Sequence, residues 1–171
     1  LSAPNSLFVH TDRPLISGNG TSTLLHEFVH VGFSRAAVDG EDWIVEGIAE
    51  YYSYQMLARA GSVSARRTAA TGSELNRWGQ QTSSLRAASS KGSRTALATT
   101  VFAALDREIR ERTRKRTLDD VVQRIANKPG KVSLVELRDA AQHVIGAPAR
   151  SLTNAALPGY SDGQDTGTNR E

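Results

Sequence analysis

Hydrophobic and polar residues follow a helical period over most of the chain. Apolar residues at spacings of three and four predict helices over residues 23–33, 43–60, 93–112, 118–127 and 134–145. Residues 7–16 are instead typical of an extended segment around a turn, which predicts a short N-terminal β region. The stretch rich in Ser, Ala and Arg that ends at Gly92 predicts one poorly packed helix and a long connection. The pattern therefore favours a mainly α fold with a short N-terminal β region.

Residues that begin and end helices support these boundaries. Thr21 or Ser22 can cap the first predicted helix, and Gly61 follows the second one at the position where glycine commonly ends a helix. Ser133, with Glu136 three residues later, has the pattern of a capping box. The start of the last predicted helix is therefore well defined.

The length and composition are typical of one globular domain. The chain has 171 residues, of which 39% are hydrophobic and 23% charged. No segment approaches the roughly 20 apolar residues of a membrane span, so we predict none. Gly, Asp, Thr and Asn dominate after Leu157, so we expect a domain over residues 1–157 and a disordered tail over residues 158–171. Because the chain starts with Leu1 and has no export signal, we expect a fragment or a processed form.

The charge pattern argues against a nucleic-acid-binding surface. The net charge is only +3, and much of the excess lies between Arg107 and Arg116. Asp106, Glu108 and Glu111 interrupt these basic residues at helical spacing, which is typical of a solvated helix face. We therefore expect no nucleic-acid partner.

The first predicted helix is apolar on nearly all sides but carries two histidines and a glutamate. The sequence His26-Glu27-Phe28-Val29-His30 places both imidazoles on one helix face, where they can reach a single ion. A helix that is apolar all round is a buried one, and buried polar side chains need partners. They can be satisfied as ordinary core residues, or together by a metal. The chain has no cysteine, so any metal is held by histidine and carboxylate ligands.

Zinc suits this set of residues. It accepts three nitrogen or oxygen ligands from a protein and leaves a fourth position for water. The metal lowers the pKa of that water to about 7, and a carboxylate can then take its proton. Glu27 lies between His26 and His30 in angle around the helix, so it can contact the water without ligating the metal.

The second predicted helix supplies a third ligand. Glu46 follows His30 by 16 positions, beyond a loop that could fold back, and its apolar neighbours argue against exposure. Glu50 is one turn further on the same face, where it can accept the spare N–H of a ligating histidine and fix its orientation. Gly47 costs about 1 kcal/mol inside a helix. A glycine at this position indicates that another part of the molecule approaches closely.

The first motif and the segment Trp43-Ile44-Val45-Glu46-Gly47-Ile48-Ala49-Glu50-Tyr51-Tyr52-Ser53 together resemble the gluzincin metallopeptidases. The chain is most similar to the glycyl aminopeptidase-like bacterial peptidases that often carry a PDZ domain, over most of residues 20–146. The resemblance implies a thermolysin-like catalytic domain, with the helical C-terminal half largely complete and the N-terminal sheet mostly missing. It implies peptide or protein substrates, with His26, His30 and Glu46 as zinc ligands and Glu27 as general base. It also favours a bacterial envelope or secreted location.

The chain departs from this family at the group that stabilises the oxyanion. The family supplies a tyrosine in a Tyr-x-Lys-Gly segment, where this chain has Ser89-Ser90-Lys91-Gly92. The candidates for a replacement donor are Ser89, Arg94 and His10. The second hypothesis is therefore a degenerate, non-catalytic zinc domain that binds peptides or a protein partner. The acidic motif that recognises a substrate amino terminus is also missing, so aminopeptidase and endopeptidase activity both stay open.

The sequence predicts structural rather than catalytic roles for the other aromatic residues. Trp78 is the only aromatic residue between Tyr54 and Phe102, which predicts a packing anchor for the long connection rather than a ligand platform. Tyr51 and Tyr52 are expected to point away from the ligand face. Tyr54 lies roughly 12 Å along the helix axis from the third ligand. None of the three is therefore expected to replace the missing tyrosine.

Overall fold

The computed structural model describes Leu7, Asp12 and residues 14–160. This part of the chain forms six α-helices: α1 (Thr23–Phe33), α2 (Trp43–Arg59), α3 (Ala65–Gly79), α4 (Ser93–Arg112), α5 (Leu118–Ala126) and α6 (Leu134–Ile145). Two short 3-10 turns follow, over Arg150–Leu152 and Asn154–Ala156. The described residues contain no β-strand, only two isolated bridges. The mainly α prediction is confirmed, whereas only half of the predicted β region at residues 7–16 is described, and the described half forms no strand.

The helix ends follow local signals in the sequence. Ser22 caps α1 by accepting an N–H of the first turn at 3.3 Å. Gly61 follows α2 with φ +67°, a conformation that favours glycine. Ser133 caps α6 by accepting the N–H of Glu136 at 3.2 Å. The carboxylate of Glu136 pairs with Arg35 at 2.8 Å, and this distant partner takes the place of the return bond that a capping box requires.

The centre of the fold is the contact between α2 and α4. Trp43, Ile44 and Ile48 of α2 are completely buried. A Cβ atom added to Gly47 would lie 2.8 Å from Ala98 Cβ and 2.8 Å from Phe102 Cε2. Glycine therefore lets α4 approach α2 closely, as its position in the sequence predicted.

Helix α3 packs more closely than the sequence predicted. Thr71, Leu75 and Gly79 are buried. A Cβ atom added to Gly79 would lie 2.7 Å from the Cα atom of Leu97, so the end of α3 rests on the backbone of α4. The prediction of a poorly packed helix is wrong. α3 contacts α4 through glycine and threonine, and such residues give the sequence little apolar periodicity from which a packed face could be recognised.

Helix α1 is less buried than its apolar sequence predicted. Phe33 is its only buried residue, whereas the Phe28 side chain is 51% exposed and Val31 is 36% exposed. α1 packs mainly against α2, on one side only. The expectation of a buried helix is wrong. The helix is apolar on two opposite faces, but the described residues cover only the face that contacts α2.

The packed part of the chain extends to Tyr160. Leu157 is buried, and the carbonyl of Pro158 accepts the N–H of Leu85 at 2.9 Å. Trp43 Nε1 donates to the hydroxyl of Tyr160 at 2.9 Å. The packed domain therefore continues beyond the predicted end at residue 157. Residues 161–171, the rest of the predicted tail, lie outside the described residues.

The basic stretch of α4 is exposed, but two of its acidic neighbours are buried. Asp106 pairs with Arg110 at 2.8 Å, and Glu108 pairs with Arg112 at 2.9 Å. Asp106 and Glu108 are only 6% and 5% exposed, so the interpretation as a solvated helix face of mixed charge is wrong for these two residues, which face other segments of the fold. Across the described ranges, no helix is both long and apolar enough to cross a membrane.

Candidate metal centre

Three side chains of α1 and α2 converge where these helices meet. His26 Nε2 lies 3.3 Å from Glu46 Oε2, and His30 Nε2 lies 3.3 Å from Glu46 Oε1. The two Nε2 atoms are 3.0 Å apart. One ligand atom from each residue lies within 4.8 Å of the others, so the three residues could hold a metal ion together.

The distances fit a small tetrahedral cation. Nitrogen and oxygen ligands lie about 2.0–2.2 Å from zinc, so at tetrahedral angles two ligand atoms are about 3.3–3.5 Å apart. The two histidine-to-glutamate distances of 3.3 Å have this spacing, although they run to different oxygens of Glu46, and the distance of 3.0 Å between the two Nε2 atoms is shorter. The side chains of His26, His30 and Glu46 are 14%, 24% and 26% exposed, which leaves one side of the cluster open. The donor set suits zinc, although its geometry would accept other divalent ions.

The loop between α1 and α2 folds back because it is tied to the segment before α6. Val38 donates its N–H to the carbonyl of Val132 at 2.9 Å. The carboxylate of Glu41 accepts the N–H of Leu134 at 2.6 Å. These bonds hold the start of α2 beside the end of α1. Glu46 consequently faces the two histidines.

The buried side chain of Arg35 holds the same loop in place through hydrogen bonds. Its side chain is only 5% exposed, and its guanidinium donates to both carboxylate oxygens of Glu136, at 2.8 and 2.9 Å. It also donates to the carbonyls of Ile125 and Gly130. Sequence reasoning missed this residue because its partners lie 90 or more positions further along the chain.

Glu50 contacts the side of His26 that faces away from the other ligands. Its Oε2 atom lies 2.9 Å from His26 Nδ1. A carboxylate at this position accepts the Nδ1–H and leaves Nε2 free to face a metal. The structure thus brings Glu50 to the ring atom that the sequence analysis expected it to contact.

The two carboxylates hold positive charge at His26. Burial acts to lower the pKa of His26, but hydrogen bonds and charges from Glu46 and Glu50 outweigh it and raise the pKa to about 9. Burial is also the main reason for the lowered pKa of His30, and the charge on His26 adds to it. The shifts have opposite directions because hydrogen bonds to two carboxylates outweigh burial at His26, whereas burial prevails at His30. A divalent cation would supply the favoured positive charge in place of the proton.

Glu27 lies beside the ligand set on α1. It is half-buried, and its negative charge acts to raise the pKa of His30, so it lies within electrostatic range of that ring. It is not one of the three residues whose ligand atoms converge. Its predicted action on a metal-bound water stays a prediction.

A cleft of about 250 Å³ opens beside the ligands. His26, Glu46 and Glu50 line one part of it, and Leu75, Trp78 and Lys91 line another. The Trp78 side chain is 42% exposed. The prediction that it anchors the packing of the connection stays a prediction, and the run of α3 along α4 also brings it to the cleft. A larger cavity of about 490 Å³, between α3 and α4, contains none of the three ligands.

None of the four tyrosines lines the cleft, and all four lie in the described part of the chain. Tyr51 donates its hydroxyl to a carboxylate of α4 at 2.8 Å, and Tyr52 donates to a carboxylate of α5 at 2.7 Å. Tyr54 lines the larger cavity, and Tyr160 accepts a bond from a buried indole. The departure from the family pattern is therefore not compensated by another tyrosine.

Two of the other candidate oxyanion donors, Ser89 and Arg94, do not line the cleft either. Arg94 donates to the carbonyls of Ser84 and Ser89 at 3.0 and 3.4 Å, which engages its guanidinium in the loop before α4. Ser89 is exposed and is not part of the cleft wall. His10 lies outside the described residues. Lys91 is the one lysine or arginine among the described residues that line the cleft.

Comparison of the chain with protein-family models, with curated proteins and with solved structures gave no match. The resemblance to gluzincins therefore rests on the two sequence motifs alone. Independently of it, the folded chain brings a His–His–Glu cluster to the edge of an open cleft.

Proposed function

We propose that the protein is a zinc-dependent metallopeptidase of the gluzincin type. The observation that carries the proposal is the convergence of His26, His30 and Glu46 at 3.0–3.3 Å, on two consecutive helices. Three protein ligands and an open side are typical of catalytic zinc sites, whereas structural sites usually have four protein ligands. The thermolysin-like fold belongs to the same proposal.

The proposed reaction is hydrolysis of a peptide bond. When bound, zinc would activate a water molecule and polarise the scissile carbonyl. Glu27 takes the proton of the attacking water and passes it to the leaving amine. Glu50 holds the Nδ1–H of His26 and so keeps that ring in the tautomer that presents Nε2 to the metal. Lys91 is positioned at the cleft to offset negative charge that develops on the carbonyl oxygen.

The first experiment combines metal analysis with peptide hydrolysis. The purified protein should contain zinc or bind it in a 1:1 ratio, and the loaded protein should cleave members of a mixed peptide library. The Glu27→Gln variant should keep its zinc and lose about 10²- to 10⁴-fold in kcat, because the proton acceptor is gone. Glu111→Gln, an exposed change near the end of α4, is the matched control and should keep full activity.

Full activity of zinc-loaded Glu27→Gln would refute the role of Glu27. Failure of the wild-type protein to bind any divalent metal would refute the proposal as a whole. Zinc binding with cleavage that requires Glu27 would establish the peptidase.

A second candidate function is favoured by the cleft itself. Because no tyrosine lines it, the protein could be a degenerate zinc domain that binds peptides without cleaving them. Loss of one oxyanion donor typically costs about 10²- to 10³-fold in rate, which predicts a slow enzyme rather than an inactive one. Measurable peptide binding by the zinc-loaded protein, with no product after prolonged incubation, would favour the binding domain.

A further inference from the structure

We infer that the cleft beside the ligands is a subsite for one large apolar side chain of the substrate, with Trp78 as its contact surface. The side chain would belong to the residue that flanks the scissile bond, and an aromatic one would fit best. This inference rests on the proposed peptidase function and adds a substrate class to it.

The exposure of Trp78 is the first observation. The indole is 42% exposed on the wall of the cleft that His26 and Glu46 also line, whereas Trp43 is completely buried. The described part of the chain exposes other large apolar side chains, but none of those lines this cleft. An aromatic surface left open at a metal centre offers a substrate both apolar area and stacking geometry.

The position of Trp78 is fixed by close backbone contacts. The next residue, Gly79, rests on the backbone of Leu97, where an added Cβ would lie 2.7 Å from the Leu97 Cα. Gly92 begins α4 with φ +59°, and a Cβ added there would lie 3.6 Å from Trp78 Cζ2. The indole therefore lies close to the backbone at the start of α4. A surface held in this way is arranged before the ligand arrives.

The size of the cleft limits what it accepts. Sites for drug-sized ligands measure about 300–1,000 Å³, so a cleft of about 250 Å³ is suited to one side chain rather than a whole small molecule. Leu75 and Ala96 also line the cleft, but both are buried, so the indole supplies most of its apolar surface. The cleft therefore resembles a pocket for a single residue of an extended peptide.

The charges around the cleft favour a neutral occupant. Lys91 disfavours a lysine or arginine side chain on electrostatic grounds, and any charged side chain would lose water against the indole of Trp78. Phe, Tyr, Trp, Leu or Met would meet neither penalty. The inferred substrate class is therefore peptides with a large neutral apolar residue next to the cleaved bond.

The cleavage test uses peptides that differ only at the residue flanking the bond, with Phe, Leu, Ala, Lys or Glu there. The wild-type protein should show a kcat/KM for Phe about 10- to 100-fold above that for Ala, as expected for filling an apolar pocket. Trp78→Ala should bring this ratio close to one, and Trp78→Phe should restore much of it. Val135→Ala, a change at an exposed apolar residue of α6, should leave the ratio unchanged.

A binding test does not depend on turnover. In zinc-loaded Glu27→Gln, a Phe-containing peptide should shift the fluorescence of the exposed Trp78 to shorter wavelength, and the Ala peptide should not. Trp78→Phe, which keeps only the buried Trp43, should lose the shift.

The outcomes separate the two proposals. Cleavage with no preference for Phe, or a preference that survives Trp78→Ala, would overturn the subsite and leave the peptidase intact. A Phe-dependent fluorescence shift without turnover of any peptide would overturn the peptidase and keep the cleft as an apolar side-chain site. Neither turnover nor shift would overturn both.

Discussion

The two helices that form the candidate metal centre differ sharply in how they are packed. α2 is buried over much of its length and packs against α1, α3 and α4. α1 has one buried residue, and Phe28 and Val31 are exposed on its outer side. α1 carries the two histidines, whereas α2 carries Glu46 and Glu50.

This difference indicates that the carboxylates form the fixed half of the site. Their backbone is held on several sides, so the two histidines are positioned by what contacts them across the α1–α2 boundary. Glu46 and Glu50 are those contacts, at 3.3 and 2.9 Å from His26. We therefore expect changes in α2 to affect metal affinity and stability more than changes on the outer face of α1.

The largest expected effect is removal of the α2 ligand. Glu46→Ala should weaken zinc binding by more than about 100-fold, which exceeds the 10- to 100-fold typical of losing a residue that only orients a ligand. Competition with a chelator of known affinity measures the change. Glu111→Ala should bind zinc as the wild type does. An unchanged zinc affinity in Glu46→Ala would remove the third ligand from the proposed site.

The next prediction concerns Glu108, a buried carboxylate of α4 that lies away from the candidate metal site. Burial acts to raise the pKa of Glu108, but N–H bonds from Arg150 and Ser151 at 2.9 Å, with the Ser151 hydroxyl, outweigh it and lower the pKa from 4.5 to about 2. Between these pH values the unfolded chain binds more protons than the folded one. The associated stability is therefore present above pH 4.5 and is lost as the pH falls towards 2.

Chemical denaturation at several pH values checks this expectation. The free energy of unfolding should fall by on the order of 2–3 kcal/mol more in the wild type than in Glu108→Gln over that interval. The difference between the two proteins isolates Glu108 from other carboxylates that titrate nearby. Parallel curves for the two proteins would contradict the assignment.

Glu50 gives a smaller effect on the metal. Glu50→Ala should weaken zinc binding by about 10- to 100-fold, because His26 loses the partner that orients its ring. Glu50→Gln keeps a hydrogen-bond acceptor and should lose less. The same chelator competition measures both variants. Equal affinities for wild type and Glu50→Ala would show that α2 does not orient the histidine.

The smallest effects come from a matched pair of glycines, one in each helix. Gly47→Ala should destabilise the fold by about 1–3 kcal/mol, because the added Cβ would lie 2.8 Å from atoms of Ala98 and Phe102. Gly32→Ala in α1 should stabilise it by about 0.5–1 kcal/mol, because nothing lies within 4 Å of the added Cβ and alanine favours a helix. Thermal unfolding measures both changes. Equal changes in the unfolding temperature of the two variants would contradict the closer packing of α2 compared with α1.

Much of the helical framework was predictable from the sequence. The bounds of α1, α4 and α6 agree with the predicted helices, and those of α2 and α5 differ by one residue at the end. Their caps are short-range features, such as Ser22, Ser133 and Gly61, and short-range features can be read locally. The burial of α1 and the loose packing of α3 were wrongly predicted, because burial depends on neighbours that periodicity does not name.

The side chains that could hold a metal were recognisable in the sequence for a related reason. His26 and His30 share a helix face through their spacing alone, and Glu46 and Glu50 share one in the same way. Arg35 could not be found in this way, because its partners in residues 125–136 lie far along the chain. The place of Trp78 at the cleft could not be predicted for the same reason, since only the path of α3 along α4 brings it there.

The sequence by itself thus determined the helices, their caps and the two pairs of side chains that can face a metal. These depend on helix geometry within about one or two turns, which the order of residues specifies. Only the tertiary structure decided that the pairs meet, that α1 keeps one apolar face exposed and that Trp78 lies beside the ligands. These follow from contacts between distant segments, such as Val38 with Val132 and Gly79 with Leu97. Such contacts depend on the packing of the whole chain rather than on any local pattern.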